Sequence, residues 1–246
     1  MKLVFITPLL LIILITFTDC STSQEQTRET DPVNITAQAV FNRYIAAIGG
    51  KEAFENVKDK ITVMSGTAAE QPIKIMIIQK YPDKLFQELT AGEMKQTIIY
   101  NGNEGLMFAG DEQIKIEDEE LERLKFDAAL HLPLDPESYG VKTELESNVE
   151  VDSIICFKVT FNLPSGLKWY QYYASDSGLK IKEIKEIKTA QGVFKQESYY
   201  TNYKEVKGLK FPHTIKQYFG IQELDLEVTS IEINSGIDSD IFNIGN

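Results

Sequence analysis

Hydrophobic and polar residues alternate along most of the chain after Ile61. A period of two is typical of strands with one buried face, and turn residues such as Tyr81-Pro82-Asp83 separate the alternating segments. Short connections favour antiparallel pairing, and breaks in the alternation within 179–187 and 224–233 predict β-bulges. The pattern predicts twelve strands, over residues 61–67, 73–80, 84–90, 94–101, 105–109, 140–145, 153–161, 168–174, 179–187, 193–203, 210–219 and 224–233.

Three segments show helical spacing instead. A first helix is predicted over residues 37–48, after Thr36, which can cap its start, and before Gly49, which can end it. A short second helix follows over about 51–57. A third, over 118–129, has an acidic first turn, as helix N-termini favour.

These elements predict an α+β or mainly β fold. Regular strand spacing favours one strongly curved antiparallel sheet, an open half-barrel of about 11–12 strands. Residues 36–246 are long enough to bury a core of their own, so they are expected to form a single domain.

Apolar residues form rows on one face of several predicted strands. In a curved sheet these rows line the concave side, and a dozen strands offer more apolar surface than three short helices can cover. One interpretation is a groove that holds acyl chains; the other is an ordinary core filled by the helices. The expected groove residues are Ile75, Ile77, Phe157, Val159, Phe161, Phe211, Ile215, Leu226 and Val228.

The N-terminal segment indicates export. Lys2 precedes an apolar run from Leu3 to Phe17, too short to span a bilayer comfortably but typical of a signal peptide. Cys20 follows and resembles the cysteine of a bacterial lipobox, which predicts a signal peptide over 1–19, lipidation of Cys20 and a flexible tether over 20–35. The alternative is cleavage after Ser23, which would remove Cys20.

Composition excludes some functions. The formal net charge is −12 and only three residues are arginine, so binding to nucleic acid is not expected. With Cys20 lipidated, Cys156 has no disulfide partner and is expected to be a small buried residue. No metal site or cofactor site is predicted.

No catalytic motif occurs in the sequence. Zinc-protease, nucleophile-elbow and phosphate-loop patterns are absent, and only His131 and His213 could serve as an imidazole base. Both flank a proline in an apolar stretch, where histidines are usually structural. The protein is therefore not expected to be an enzyme, with a histidine-dependent hydrolase as the minor alternative.

Four segments in this order resemble the outer-membrane lipoprotein-sorting family, with its LolA/LolB-like fold, and its lipid-anchored members in Bacteroidota. They are Ala46-Ala-Ile-Gly-Gly-Lys-Glu-Ala53, Tyr172-Tyr173 before Asp176-Ser-Gly-Leu179, Tyr203-Lys-Glu-Val-Lys-Gly-Leu-Lys-Phe-Pro212, and Ile231–Ile237 followed by Asp240-Ile-Phe242. The resemblance implies an open half-barrel with helices on its concave side and acyl chains in the hollow. It also implies a gating arginine on a cavity strand, which no predicted strand of this chain contains.

Together these observations predict non-catalytic binding of lipid or lipoprotein acyl chains, with lipoprotein sorting or transport in the bacterial envelope as the narrower expectation. The expected location is the outer membrane, through the lipid anchor, facing the periplasm or the cell surface. The alternative is an interaction module that docks an envelope protein and carries no lipid.

Overall fold

A computed structural model of the chain describes residues 35–68, 71–189 and 191–244. The predicted signal peptide, Cys20 and residues 20–34 of the predicted tether lie outside these ranges. Within them, no helix is both long enough and apolar enough to cross a bilayer.

The described residues form one antiparallel sheet of thirteen strands. Its order is β6-β5-β4-β3-β2-β1-β13-β12-β11-β10-β9-β8-β7, so two meanders, β1–β6 and β7–β13, meet where β1 pairs with β13. The two edge strands, β6 and β7, lie at opposite ends, and the sheet does not close. The strands are β1 Asp59–Ala68, β2 Gln71–Lys80, β3 Lys84–Ala91, β4 Met94–Tyr100, β5 Gly105–Ala109, β6 Glu112–Ile116, β7 Lys142–Val151, β8 Ile154–Asn162, β9 Lys168–Ala174, β10 Lys180–Thr189, β11 Gly192–Val206, β12 Leu209–Phe219 and β13 Gln222–Ile233.

The predicted fold class is confirmed, with one strand more than the pattern predicts. The additional strand, β6, is a five-residue edge strand in which only Ile116 is buried. Its apolar residues, Ile114 and Ile116, are too few to mark it clearly as a strand. A bulge in β13 is also confirmed, because Val63 pairs with Ser230 while Met64 pairs with Val228. In β10 the register shifts beside Ile181.

In the part of the chain that the structure describes, three α-helices accompany the sheet: α1 (Ala37–Ile48), α2 (Lys51–Glu55) and α3 (Asp118–Ala128). Thr36 caps α1, its Oγ1 accepting a hydrogen bond from the Ala39 amide at 3.2 Å. Gly49 ends α1 with φ of 138°, and a Cβ there would lie 2.2 Å from the carbonyl oxygen of Gly208. Only glycine therefore lets the end of α1 approach the β11–β12 turn this closely.

The sheet is strongly curved around α3. The Nε2 of Gln79 on β2 donates to the carbonyl oxygen of Asp127 at 2.6 Å, and Lys185 on β10 pairs with the carboxylate of the same Asp127. Five strand spacings separate β2 from β10. In a flat sheet that would be about 24 Å, so the two arms must fold toward each other for one residue to contact both.

The two faces of the sheet are covered differently. On the concave face, α1 packs on β8 and β9, where the ring of Phe41 lies 5.5 Å from that of Phe161 and 6.0 Å from that of Tyr173. On the convex face, the segment after β13 packs Phe242 against Ile78 and Ile99 of the first meander. Cys156 is fully buried, as expected.

Candidate functional site

An apolar wall lies at the centre of the concave face, where the two meanders join. Met64 on β1 pairs with Ile75 on β2 and with Val228 on β13, and Ile215 on β12 pairs with Leu226 on β13. Alternation directs these side chains to one side, so four adjacent strands present a continuous aliphatic surface.

The helices cover only part of this wall. Tyr44 and Ile48 of α1, Phe54 of α2 and Leu130 after α3 approach it from the opposite side and leave a gap. The gap is a partly open cavity of about 320 Å³, which we call the Lys60 cavity because Lys60 lies in its lining. A volume of this size is within the range of small-molecule sites.

A second cavity of about 260 Å³ adjoins the first, and we call it the Asp127 cavity. Ile75 and Leu226 line its sheet side, and Arg123 and Asp127 of α3 line its other side. The two cavities share part of their lining, namely Met64, Ile77, Gln79, Tyr200 and Ile215. They therefore form one elongated hollow along the apolar wall.

A polar wall faces the apolar one, built from β10, β11 and α3. Glu183 on β10 is 5% exposed and accepts hydrogen bonds from Gln171 Nε2 and the Tyr200 hydroxyl, each at 2.8 Å. Burial opposes its charge, but Lys180, Lys185 and these hydrogen bonds outweigh it and lower the pKa of Glu183 to about 2. In front of Glu183, the charged groups of Lys180, Lys185, Arg123 and Asp127 line the hollow, which thus has one aliphatic side and one charged side.

The charged groups of α3 are paired with one another and with β10. Arg123 bonds both Glu120 and Asp127, and Asp127 also pairs with Lys185. The resemblance to the lipoprotein-sorting family implies an arginine on a cavity strand. Here Arg123 lines the hollow from the covering helix instead.

Lys60 differs from these cations. Its side chain is partly buried, and no described carboxylate lies within 4.0 Å of its ammonium. Its Nζ lies 5.8 Å from the centroid of the Phe211 ring. Burial, together with the charge of Lys180, lowers the pKa of Lys60 to about 8.

The residues predicted from the sequence divide into two groups. Six line the hollow: Ile75, Ile77, Phe211, Ile215, Leu226 and Val228. The other three, Phe157, Val159 and Phe161, lie on the same concave face but pack in the core beneath α1, and Val159 is fully buried there. These three do not line the hollow, since α1 fills the space above them.

Sequence reasoning missed the polar wall and Lys60. Alternation does carry a signal for Lys60, because it shares a face with Thr62 and Met64. Glu183 and Lys185 likewise share one face of β10. They went unnoticed because charged residues in an alternating strand are usually assigned to the solvent side.

The two histidines lie in different surroundings. His131 sits between the rings of Phe54 and Tyr81, and its Nε2 is buried without a hydrogen-bond partner in the part of the chain described. Burial and the charge of Lys58 lower its pKa. His213 Nδ1 lies 2.9 Å from the carbonyl oxygen of Phe211. Among residues 35–68, 71–189 and 191–244, neither is hydrogen-bonded to a nucleophile, and no group of three metal-ligating side chains occurs.

No protein-family model matches this chain, and no curated protein is similar to it in sequence. Solved structures do resemble it. A LolA superfamily protein from Nitrosomonas europaea superposes with a TM-score of 0.58 at 15% identity, covering 85% of this chain and 98% of the other. A DUF1329 family protein from Desulfovibrio piger gives 0.57 at 10% identity, covering 85% and 97%.

A domain of an outer-membrane lipoprotein-sorting protein from Vibrio parahaemolyticus gives a TM-score of 0.57 at 11% identity, covering 84% of this chain and 97% of the other. These three structures share nearly their whole length with this chain. The chain therefore has the LolA-like fold expected from the resemblance. At identities of 10–15%, the structural similarity is evidence of the fold alone.

Proposed function

We propose that this protein binds the acyl chains of a lipid or lipoprotein in the hollow, without catalysis. The observation that carries the proposal is the aliphatic wall of Met64, Ile77, Ile215 and Val228, left uncovered by the helices beside a cavity of about 320 Å³. The shared fold with a LolA superfamily protein and a lipoprotein-sorting domain supports it.

The energetics of burial support an acyl ligand. Each methylene removed from water contributes about 0.8 kcal/mol, so about ten of them approach the 8 kcal/mol of a micromolar complex before ordering costs. The wall supplies branched aliphatic partners along four strands, which suits a flexible chain better than a flat ring system. Phe157, Val159 and Phe161 enter this proposal only if α1 moves away.

The proposed setting is the bacterial envelope. Lipidation of Cys20 would anchor the protein at the outer membrane, with residues 20–35 as a tether and the domain facing the periplasm or the cell surface. The anchor would hold the hollow close to a source of acyl chains. Sorting or transport of lipoproteins is the narrower form of this proposal.

The test is uptake of a fluorescent fatty acid by the purified domain. Ile215→Trp inserts an indole into the hollow from a residue that lines both cavities, and should weaken binding by about tenfold or more. Thr214→Trp is the matched control, because the neighbouring residue on β12 points to the opposite face. Circular dichroism would establish that both variants are folded.

Equal binding by wild type and Ile215→Trp would contradict the assignment of the hollow. Failure of the wild type to take up fatty acid, together with recovery of one stoichiometric protein and no lipid from the envelope, would favour the interaction module.

A further inference from the structure

The charges inside the hollow do not balance at one end. In the Asp127 cavity both lining cations, Arg123 and Lys185, pair with Asp127. In the Lys60 cavity, Lys180 Nζ lies 3.5 Å from a carboxylate oxygen of Glu183. The Glu183 carboxylate is further occupied by its bonds to neutral side chains. Neither interior carboxylate is left over for another cation.

At the other end, in the Lys60 cavity, Lys60 is partly buried and no carboxylate of a described residue lies within 4.0 Å of its ammonium. It lies on the concave face of β1, opposite Gln79 on β2, so its methylene stem runs beside the aliphatic wall. We call the part of the cavity formed by Lys60, Lys180 and Lys210 the corner. Lys180 and Lys210 line the same cavity, and Lys210 is exposed at its margin. The corner is therefore positively charged, although the whole chain carries −12.

An unpaired, partly buried ammonium beside a second one is unfavourable in the empty protein. The lowered pKa of Lys60 reflects this cost. An anion placed in the corner would remove it, since a charge-assisted hydrogen bond to an ammonium is among the stronger polar contacts available. The corner also opens directly onto the aliphatic wall, so one ligand can reach both.

We propose that Lys60 binds the anionic oxygen headgroup of the acyl ligand, a carboxylate or a phosphate, while the chain lies along Met64, Ile77, Ile215 and Val228. This inference rests on the proposed acyl-binding function and narrows its substrate class to anionic amphiphiles. The preference for anionic over neutral amphiphiles comes from the headgroup alone, because the aliphatic wall makes the same contacts with the acyl chain of either.

The experiment compares laurate, dodecyl phosphate and dodecanol, which share one chain length and differ in headgroup. Calorimetry on the wild type should give laurate or dodecyl phosphate an affinity about tenfold or more above that of dodecanol. The order of the two anions identifies the headgroup, carboxylate or phosphate. Lys60→Met should abolish the preference and leave dodecanol binding within about threefold of the wild type.

Lys74→Met is the matched control, because Lys74 is an exposed lysine on the convex face of β2 and loses the same charge. It should keep the preference for anions. Equal affinity of the wild type for laurate, dodecyl phosphate and dodecanol, or an unchanged preference in Lys60→Met, would overturn the role of Lys60 while leaving acyl binding intact. Absence of binding by all three ligands would overturn both proposals together.

Discussion

The concave face contains two regions built from the same kind of strand, one filled and one hollow. Beneath α1, Phe41 is fully buried and its ring packs on those of Phe161 and Tyr173. Over β1, β2, β12 and β13, residues of the same apolar character line a hollow. The difference lies in the cover: Phe41 of α1 packs directly on the strands of the first region, whereas Tyr44 of α1 and Phe54 of α2 border the second region and leave a cavity there.

The sharpest way to break this comparison is to truncate one apolar side chain to alanine in each region. Phe41→Ala should lower the free energy of unfolding by about 3–5 kcal/mol, because it opens a cavity in a closed core. Ile77→Ala should cost less than about 2 kcal/mol, because its side chain already borders open space. Urea unfolding of both variants measures the difference. Similar losses would mean that the hollow is packed in solution.

Glu183 connects the two regions, and its removal tests that connection. It binds Gln171, next to the core beneath α1, and Tyr200, in the hollow. Its folded pKa of about 2 is below the ordinary 4.5, so its contribution to stability is present above pH 4.5 and is lost as the pH falls toward 2. Glu183→Gln should therefore cost about 2 kcal/mol at pH 7 and much less near pH 2.5.

Urea unfolding at several pH values measures this effect. Glu144→Gln, at an exposed site on β7, is the control and should change stability little at any pH. A loss for Glu183→Gln that stays constant between pH 7 and pH 2.5 would contradict a charged Glu183.

The smallest expected effect is a gain in the free energy of unfolding when Lys60, in the hollow, is replaced. The folded pKa of Lys60, about 8, is below its ordinary 10.5, so the folded state disfavours the proton. Wild-type stability should therefore rise between pH 8 and pH 10.5, and Lys60→Met should lack that rise while gaining roughly 1 kcal/mol at pH 7. Thermal unfolding across this pH range would detect it. Destabilisation by Lys60→Met would contradict an unpaired ammonium.

Alternation identified the strands and their inward faces, and with them six residues of the hollow. It could not separate Phe157, Val159 and Phe161 from that group, because strand pattern gives the face of a residue and not the helix above it. The edge strand β6 was not predicted because it is short, and its alternation consists of two residues, Ile114 and Ile116, beside an acidic segment.

The polar wall could not be predicted from the sequence because it depends on contacts between residues that are far apart in the chain. Asp127 and Lys185 come together only when the sheet bends around α3. Nothing local in either segment specifies the pairing. The position of Lys60 in an alternating segment was readable, but the lack of a carboxylate beside it depends on the whole three-dimensional arrangement.

The pairing of β1 with β13 has a consequence for how the binding site comes into being. Lys60 lies opposite Ile233, so the first and last strands in the chain complete the aliphatic wall together at the middle of the sheet. While a nascent chain is being synthesised, the strands beneath α1 are complete before β13, and the wall still lacks one of its four strands. Such distant contacts form slowly. A ligand that contacts both β1 and β13 would act as a clasp between the first and last strands of the chain and would oppose the separation of the two meanders.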